Sequence, residues 1–293
     1  MIIVTGANGQ LGRAVAERLL ELVPAGHIGV SARDPEKARE LEERGVRVRR
    51  GDFDDPASLS HAFEGATQVL IVSSNASAYG GDPLAQHRSA IEAARAAGVG
   101  RIVYTSHMAA SSASLFPPML DHAATEDMLC QSGLAWTALR NGFYASSGLQ
   151  FMGDALRTGV LEAPADGKVS WTAHTDLAEA AAILLADEGR YEGPTPPLTG
   201  SQSLDLAGLA GIASELQDRP VHRRIIRDED LRAKMAARGV PDRVADIAQG
   251  FYLASRRGEF AVVDPTLERI LGRPATPVRD VLKAAIFPAV GVV

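Results

Sequence analysis

A chain of 293 residues, 46% hydrophobic, 23% charged and only 5% aromatic, is long enough to bury a large core as one elaborated domain or two. Its net charge of -6, with no basic stripe interleaved with aromatics, excludes nucleic acid as the expected partner, and no apolar run approaches the roughly 20 residues that cross a bilayer. One cysteine, Cys130, permits no internal disulfide, and a strand pattern starting at Ile2 leaves no room for a signal peptide, so a cytoplasmic location is expected. Cys130 follows Met128-Leu129 and reads as an inert core thiol.

The β-branched run Ile2–Thr5 breaks into Gly6-Ala7-Asn8-Gly9-Gln10-Leu11-Gly12, and then Leu11, Ala14, Val15, Leu19 and Leu22 fall on one helical stripe. Strand, three glycines at intervals of three, then helix is a dinucleotide-binding arrangement. Gly6 serves the sharp turn, Gly9 the approach of backbone N–H groups to a pyrophosphate, and Gly12 the close packing of helix on strand. Strand and helix then alternate: His27–Ala32, a helix opened by Asp34-Pro35, Val46–Arg50, a helix opened by Asp55-Pro56, and the apolar run Val69–Val72. A helix near 83–97, a strand over Arg101–Thr105, a helix over 121–132 and a strand over Trp136–Leu139 complete the series. This is an α/β chain with a Rossmann-type doubly wound parallel sheet.

Past residue 145 the rhythm loosens. Residues 153–172 read as strand and loop, and Asp176–Ala186 as a helix with Asp176 and Glu179 in capping-box spacing. Amphipathic helices are expected over 204–218, 228–238 and 241–257. No Pro-, Gly- or Ser-rich linker intervenes, so a nucleotide-binding domain over 1–150 is expected to carry a small, mostly helical lobe over 151–293, partly interleaved with the sheet.

In open α/β sheets the ligand lies outside the carboxyl ends of the strands, which singles out the loops after residues 5, 32, 50, 72, 105 and 140. Gly6, Asn8, Gly9, Gln10, Leu11 and Gly12 are candidates for the pyrophosphate. Arg33 stands where an arginine accepts a 2′-phosphate, and Asp34 before Pro35 reads as a helix cap, so NADP(H) is expected over NAD(H). Asp52 and Phe53 are placed to accept from and flank an adenine, the alternative for Asp52 being a loop cap. Ser73, Ser74 and Asn75 follow the fourth strand and are expected beside the nicotinamide ribose. Thr105 and Ser106 end the fifth strand, as cofactor contacts or as local caps.

A Tyr-x-x-x-Lys helix is missing. None of the five tyrosines has lysine four residues on, and no lysine lies between residues 38 and 167. Proton donation would fall to Tyr144, His122 or Asn141. His122 is readable equally as a ribose contact, a proton donor or a solvated helix residue. His107 reads as a bystander, His87 as structural, and Phe143 and Trp171 as packing. No His/Cys/Asp/Glu cluster has metal spacing, and neither metal nor flavin is expected.

Several segments carry a resemblance. Asp52-Phe53-Asp54-Asp55-Pro56, Ile102-Val103-Tyr104-Thr105-Ser106, the stretch Leu120–Leu129, Leu139-Arg140-Asn141-Gly142-Phe143-Tyr144 and the tail Gly272-Arg273-Pro274-Ala275-Thr276-Pro277 together resemble the NmrA-like atypical short-chain dehydrogenase/reductases. The likeness is greatest to the branch of type-2 NAD(P)H:quinone oxidoreductases and triphenylmethane reductases. It implies NADPH at the glycine turn and a substrate over the nicotinamide against the C-terminal lobe. It also sets His122 near the lysine of the ordinary family and Pro118 near its tyrosine. After Tyr144 the branch commonly has Glu-Asn, whereas this chain has Ala145-Ser146-Ser147.

The expected function is hydride transfer from NADPH to a quinone, dye or aromatic metabolite, which needs only hydrogen-bond donors for the phenolate it creates. The alternatives are a non-catalytic NADP(H)-binding redox sensor and a tailoring reductase of secondary metabolism. A homodimer is left open, and neither nucleic acid nor membrane is expected as partner.

Overall fold

The computed structural model describes residues 1–288. In chain order the elements are β1 (Ile2–Thr5), α1 (Gln10–Leu19), β2 (Ile28–Ala32), α2 (Arg39–Glu43), β3 (Arg47–Arg50), α3 (Pro56–Phe63), β4 (Gln68–Ile71), α4 (Pro83–Ala96), β5 (Arg101–His107), α5 (Pro117–Gln131) and β6 (Ala135–Asn141). There follow β7 (Phe143–Tyr144), α6 (Ala145–Met152), α7 (Ala155–Thr158), β8 (Val160–Pro164), β9 (Trp171–Thr172), α8 (His174–Ala186), β10 (Gly193–Pro194), α9 (Leu206–Gln217), β11 (His222–Ile226), α10 (Asp228–Ala237), α11 (Asp242–Arg256), α12 (Thr266–Leu271) and α13 (Val278–Ile286). The main sheet runs β10-β6-β5-β4-β1-β2-β3, and its pairings are all parallel. The sequence reverses direction between β1 and β4, so the switch point lies between the loops that follow them.

The strands β1, β2 and β4 are buried at every position, as helices on both faces require. Leu11, Val15 and Leu19 of α1 join Val4, Val30 and Leu70 in one core, while Leu59, Phe63, Ile91 and Ile102 fill the other face. Leu22 lies past the end of α1 and is exposed. A third core belongs to the C-terminal lobe. Five of the eight phenylalanines, Phe116, Phe143, Phe151, Phe251 and Phe260, meet there around Trp171. Phe143 and Trp171 are packing residues, and the indole N–H donates to the Leu204 carbonyl at 2.9 Å. No helix among the described residues is long and apolar enough to cross a membrane.

Four expectations need correction. Helix α5 begins at Pro117, four residues early, because proline fits the first helical turn where its missing N–H costs nothing. Helix α6 stands where only a loosening was read. Its Ser- and Gly-rich start is a poor helix former, and the lobe core around Leu149, Phe151 and Met152 overrides that propensity. Asp176 does not cap α8, which starts at His174. Its fully buried carboxylate instead takes Arg273 Nη2 at 2.8 Å, the Thr276 N–H at 2.6 Å and the Thr276 hydroxyl at 2.9 Å. The Gly-Arg-Pro tail is thus a strap across α8, and Arg273 also reaches Glu179, which pairs with Arg18 of α1. Finally, Cys130 is exposed, because the buried face of α5 carries Thr125, Glu126 and Leu129.

Candidate active site

The glycine turn is built as its spacing requires. Gly6 leaves β1 with φ of 65°, in the left-handed region. A Cβ on Gly12 would lie 2.4 Å from the Gly6 carbonyl oxygen and 2.8 Å from that of Thr5, so only glycine lets α1 sit this close to β1. Gly9 differs: an added Cβ would meet only Gly6 O, at 3.3 Å, within a 4 Å radius. Its own N–H is already used, donating to Gly6 O at 2.8 Å. The donors available to an anion are therefore the first-turn N–H groups of Gln10, Leu11 and Gly12, and no side chain caps α1. That helix start, with its positive dipole end, suits a phosphate. Leu11 contributes only backbone there, since its side chain is in the core. Asn8 donates from Nδ2 to the Asp34 carbonyl at 2.8 Å and so fastens the glycine turn to the loop after β2.

In that loop Arg33 is exposed, and among the described residues nothing bonds its guanidinium. Asp34 is not a side-chain cap: Pro35–Ala38 is one 3-10 turn, and the carboxylate lies 3.6 Å from Lys37 Nζ instead. After β3, Asp52 accepts the Asp54 N–H at 3.2 Å, the loop-cap alternative, and Phe53 packs on the sheet core. Asp54 takes Gln86 Nε2 at 2.8 Å, and Gln86 Oε1 takes the Ser74 hydroxyl at 2.5 Å, which links the loops after β3 and β4.

The hydroxyls after β4 and β5 hold the loops to each other. Thr105 Oγ1 accepts the Ser73 N–H at 2.8 Å and donates to Ser73 Oγ at 3.2 Å, and Thr105 is 1% exposed. Ser106 is 3% exposed and donates to Glu126 Oε1 at 2.6 Å. Glu126 in turn pairs with Arg140 at 2.7 Å, so a buried carboxylate joins β5, α5 and β6. Thr105 and Ser106 are therefore buried and bonded within the protein, Thr105 to Ser73 and Ser106 to Glu126. The Ser74 N–H donates to His87 Nε2 at 2.8 Å, so the buried His87 is indeed structural. Asn75 remains exposed, with no side-chain cap bond of its own.

Beyond β5 and β6 the lining changes character. Tyr104 OH lies 2.8 Å from His122 Nδ1, and the His122 ring stacks on that of His107 with centroids 6.1 Å apart. His107 touches the edges of Phe143 and Phe260. Burial holds His107 down to about 3, and burial together with His107 and His87 holds His122 well below the usual histidine range. Tyr144 packs against His174 with ring centroids 4.1 Å apart and planes tilted by 39°, its phenol pushed up by burial while Asn141 draws it back down. Asn141 is 2% exposed, and its Oδ1 is a buried acceptor with no partner. These groups are polar and uncharged at neutral pH. His107, read from the sequence as a bystander, is the last residue of β5 and is brought against the His122 ring by the packing of α5. An uncapped glycine helix start, a free arginine and an orphaned acceptor at one edge of the sheet fit a phosphorylated dinucleotide with an amide head. Outward of His107, the loop 108–114, Arg257 and Glu259 line a cavity of about 260 Å³.

Comparison with known proteins agrees with this geometry. An NAD(P)H-binding family model matches residues 6–188. Quinone oxidoreductase 2 of Escherichia coli is 36% identical over 282 residues, 96% of each chain. Its NADPH complex superposes with a TM-score of 0.90 at 34% identity, covering 98% of this chain and all of that one (100%). The triphenylmethane reductase of Citrobacter sp. with NADP(H) gives 0.87 at 33% identity, covering 97% and 100%. An NmrA-like family domain-containing oxidoreductase of Aspergillus flavus is 29% identical over 96% of this chain and 93% of its own.

Proposed function

This chain belongs to the NAD(P)H-binding, NmrA-like oxidoreductases, and from that premise we propose that it passes a hydride from NADPH, in preference to NADH, to a quinone or a conjugated dye. When bound, the reduced nicotinamide supplies the hydride. The first-turn N–H groups of α1 hold the pyrophosphate, and the Arg33 guanidinium receives the 2′-phosphate with its planar fork. Asn141 Oδ1 accepts an amide N–H and sets the orientation of the ring that bears it. His122 and Tyr144 donate hydrogen bonds to the acceptor as its charge develops. Both are kept neutral by burial, so they stabilise an oxyanion without surrendering a proton.

The observation that carries the reading is that two halves stand on one sheet: an anion-ready helix start after β1 and a wall of uncharged donors around the ends of β5 and β6. A Tyr/Lys dyad would serve an acceptor whose alkoxide must be protonated at once. A quinone gives a resonance-stabilised phenolate, for which neutral donors suffice. The test is NADPH oxidation with benzoquinones, naphthoquinones, azo dyes and triarylmethane dyes. Turnover of at least one class is expected. Tight NADPH binding with no turnover of any would overturn the reductase in favour of a redox sensor.

A further inference from the structure

Of the three histidines packed between β5, α4 and α5, one is fully engaged. His87 accepts the Ser74 N–H on Nε2, and its Nδ1 lies 2.9 Å from Thr125 Oγ1, whose hydroxyl donates onward to the Asp121 carbonyl at 2.7 Å. His107 and His122 each use only one nitrogen. Tyr104 is fully buried, burial raises its phenol so that the hydroxyl stays protonated, and it lies 2.8 Å from His122 Nδ1, where we assign the hydroxyl as the donor. The proton of a neutral His122 must then sit on Nε2. His107 Nδ1 accepts the Ala109 N–H at 3.2 Å, which imposes the same tautomer. Neither Nε2 has a protein partner among the described residues, and neither is among the polar atoms sealed from solvent without one. The ring centroids are 6.1 Å apart and the planes inclined by 29°. The two unpartnered Nε2–H groups therefore belong to neighbouring rings at the same end of the sheet.

We propose that Tyr104 is a positioning residue that fixes His122 as the Nε2–H tautomer, and that His107 is a second neutral N–H donor, the two imidazoles together receiving the oxygen of the acceptor. This rests on the reductase reading of the site. As the hydride forms its new bond on the acceptor, a π pair moves onto the acceptor oxygen. Both imidazoles keep their protons, NADPH leaves as NADP⁺, and water protonates the released phenolate. The arrangement selects by chemistry. A quinone puts its developing charge on oxygen and needs the pair; a cationic triarylmethane dye is neutralised by hydride at carbon and makes no oxyanion.

The first measurement is independent of catalysis. Nitrogen-15 spectra of the histidine side chains at neutral pH should show His107 and His122 neutral with bare Nδ1, and Tyr104→Phe should convert His122 alone to a tautomer mixture. A cationic or Nδ1–H His122 in the unaltered protein overturns the proposal. The second is steady-state quinone reduction. Tyr104→Phe and His107→Ala should each lower kcat by about tenfold, within the range known for loss of one oxyanion donor. NADPH affinity should hold, and any dye turnover should be spared. His107→Gln, which keeps an N–H at similar reach, should restore part of the loss and decides the matter if His107→Ala does not fold. Unchanged kcat, or equal losses in quinone and dye turnover, sinks the pair. If the unaltered protein reduces no quinone, the reductase reading falls while the tautomer result stands by itself.

Discussion

The two ends of the candidate site are made of different material. At the carboxyl end of β1 the work is done by backbone: a left-handed Gly6, a Gly12 pressed against two carbonyls, and a helix start with no side-chain cap. At the ends of β5 and β6 it is done by side chains from Tyr104, His107, His122, Asn141 and Tyr144, held in place by a deeper layer of Thr125, Glu126 and His87. In the proposed function the first end recognises a phosphate, the same in every dinucleotide, and a fixed backbone shape is enough. The second must meet an acceptor of variable shape, and it is tuned by burial and tautomer rather than by formal charge.

The sharpest way to test that division is to add side chains to the glycine turn. Gly12→Val would drive carbon into Gly6 and Thr5 backbone, which cannot give way as a side chain can, so a loss of about 3 kcal/mol or more, or no folded protein, is expected in a melt. Gly9→Val should behave oppositely. Gly9 has φ of -89° and ψ of 162°, extended backbone that valine favours, and its Cβ direction is open apart from Gly6 O. The apo melting temperature should therefore barely move while NADPH affinity falls about a hundredfold, or roughly 2.7 kcal/mol. An apo fold that collapses would mean that Gly9 serves the turn and not the ligand.

The side-chain end should show itself in pH. His87 is held down to about 4 and His107 to about 3, and His122 lies well below the ordinary 6.5, all chiefly by burial. Each is neutral in the fold and protonates near 6.5 once unfolded, so the unfolded chain binds more protons below that pH. The stability they contribute is complete above about 6.5 and is lost as pH falls toward about 4 and then 3. The slope is about 1.4 kcal/mol per pH unit for each proton. Urea unfolding between neutral pH and pH ~5 should reveal this slope, and replacing any one of the three should reduce it by about a third. A flat profile would mean that these rings are solvated and charged, and the neutral wall would not exist. Quinone turnover, by the same reasoning, should show no histidine titration near pH ~6.5.

This contrast also explains what the sequence made legible. The β1–α1 turn is local: Gly6, Gly9 and Gly12 occupy seven consecutive positions, and their spacing alone implies strand, turn and close helix packing. The parallel, doubly covered sheet followed from the alternation of apolar runs and helices, whereas the strand order is set by long-range pairing with no local signal. The wall at β5 was half-legible. Tyr144 and Asn141 could be ranked by the strand-end rule and His122 by the family resemblance, but Tyr104 and His107 are brought to His122 only by the packing of α5 on β5. Thr105 and Ser106 point to opposite faces of β5 and are both buried because the sheet is covered on both faces, and their partners Ser73 and Glu126 lie 32 and 20 residues away. Helix α6 is the clearest failure, a segment of poor propensity held by aromatic neighbours that are distant in sequence.

In the proposed function Arg33 brings the comparison to the nucleotide's outer edge, where recognition passes from backbone to a single side chain. Its guanidinium is exposed and unengaged among the described residues, so removing it disturbs no internal bond. Arg33→Ala should erode the NADPH-over-NADH preference by about tenfold or more, the 1.5–3 kcal/mol (roughly) of a charge-assisted phosphate contact. Fluorescence titration of both cofactors measures it, and an unchanged affinity ratio would move the 2′-phosphate elsewhere.

The smallest effect expected is at Tyr144, and its smallness is the point. The phenol is buried beside Asn141 and raised above its usual range, so it enters the reaction protonated and leaves it protonated. Tyr144→Phe keeps the ring packed on His174 and removes one hydrogen-bond donor among several. A loss of about three- to tenfold in quinone kcat is expected, below the hundredfold or more that a sole oxyanion donor can cost. NADPH carrying deuterium on the transferred face should still give a primary isotope effect in the variant, because hydride transfer remains the slow step. A loss of about ten-thousandfold, with the isotope effect abolished, would instead mark Tyr144 as an obligate acid. In that case the β5–β6 end would be a proton-transfer machine after all, and the division between a backbone half and a neutral-donor half would fail.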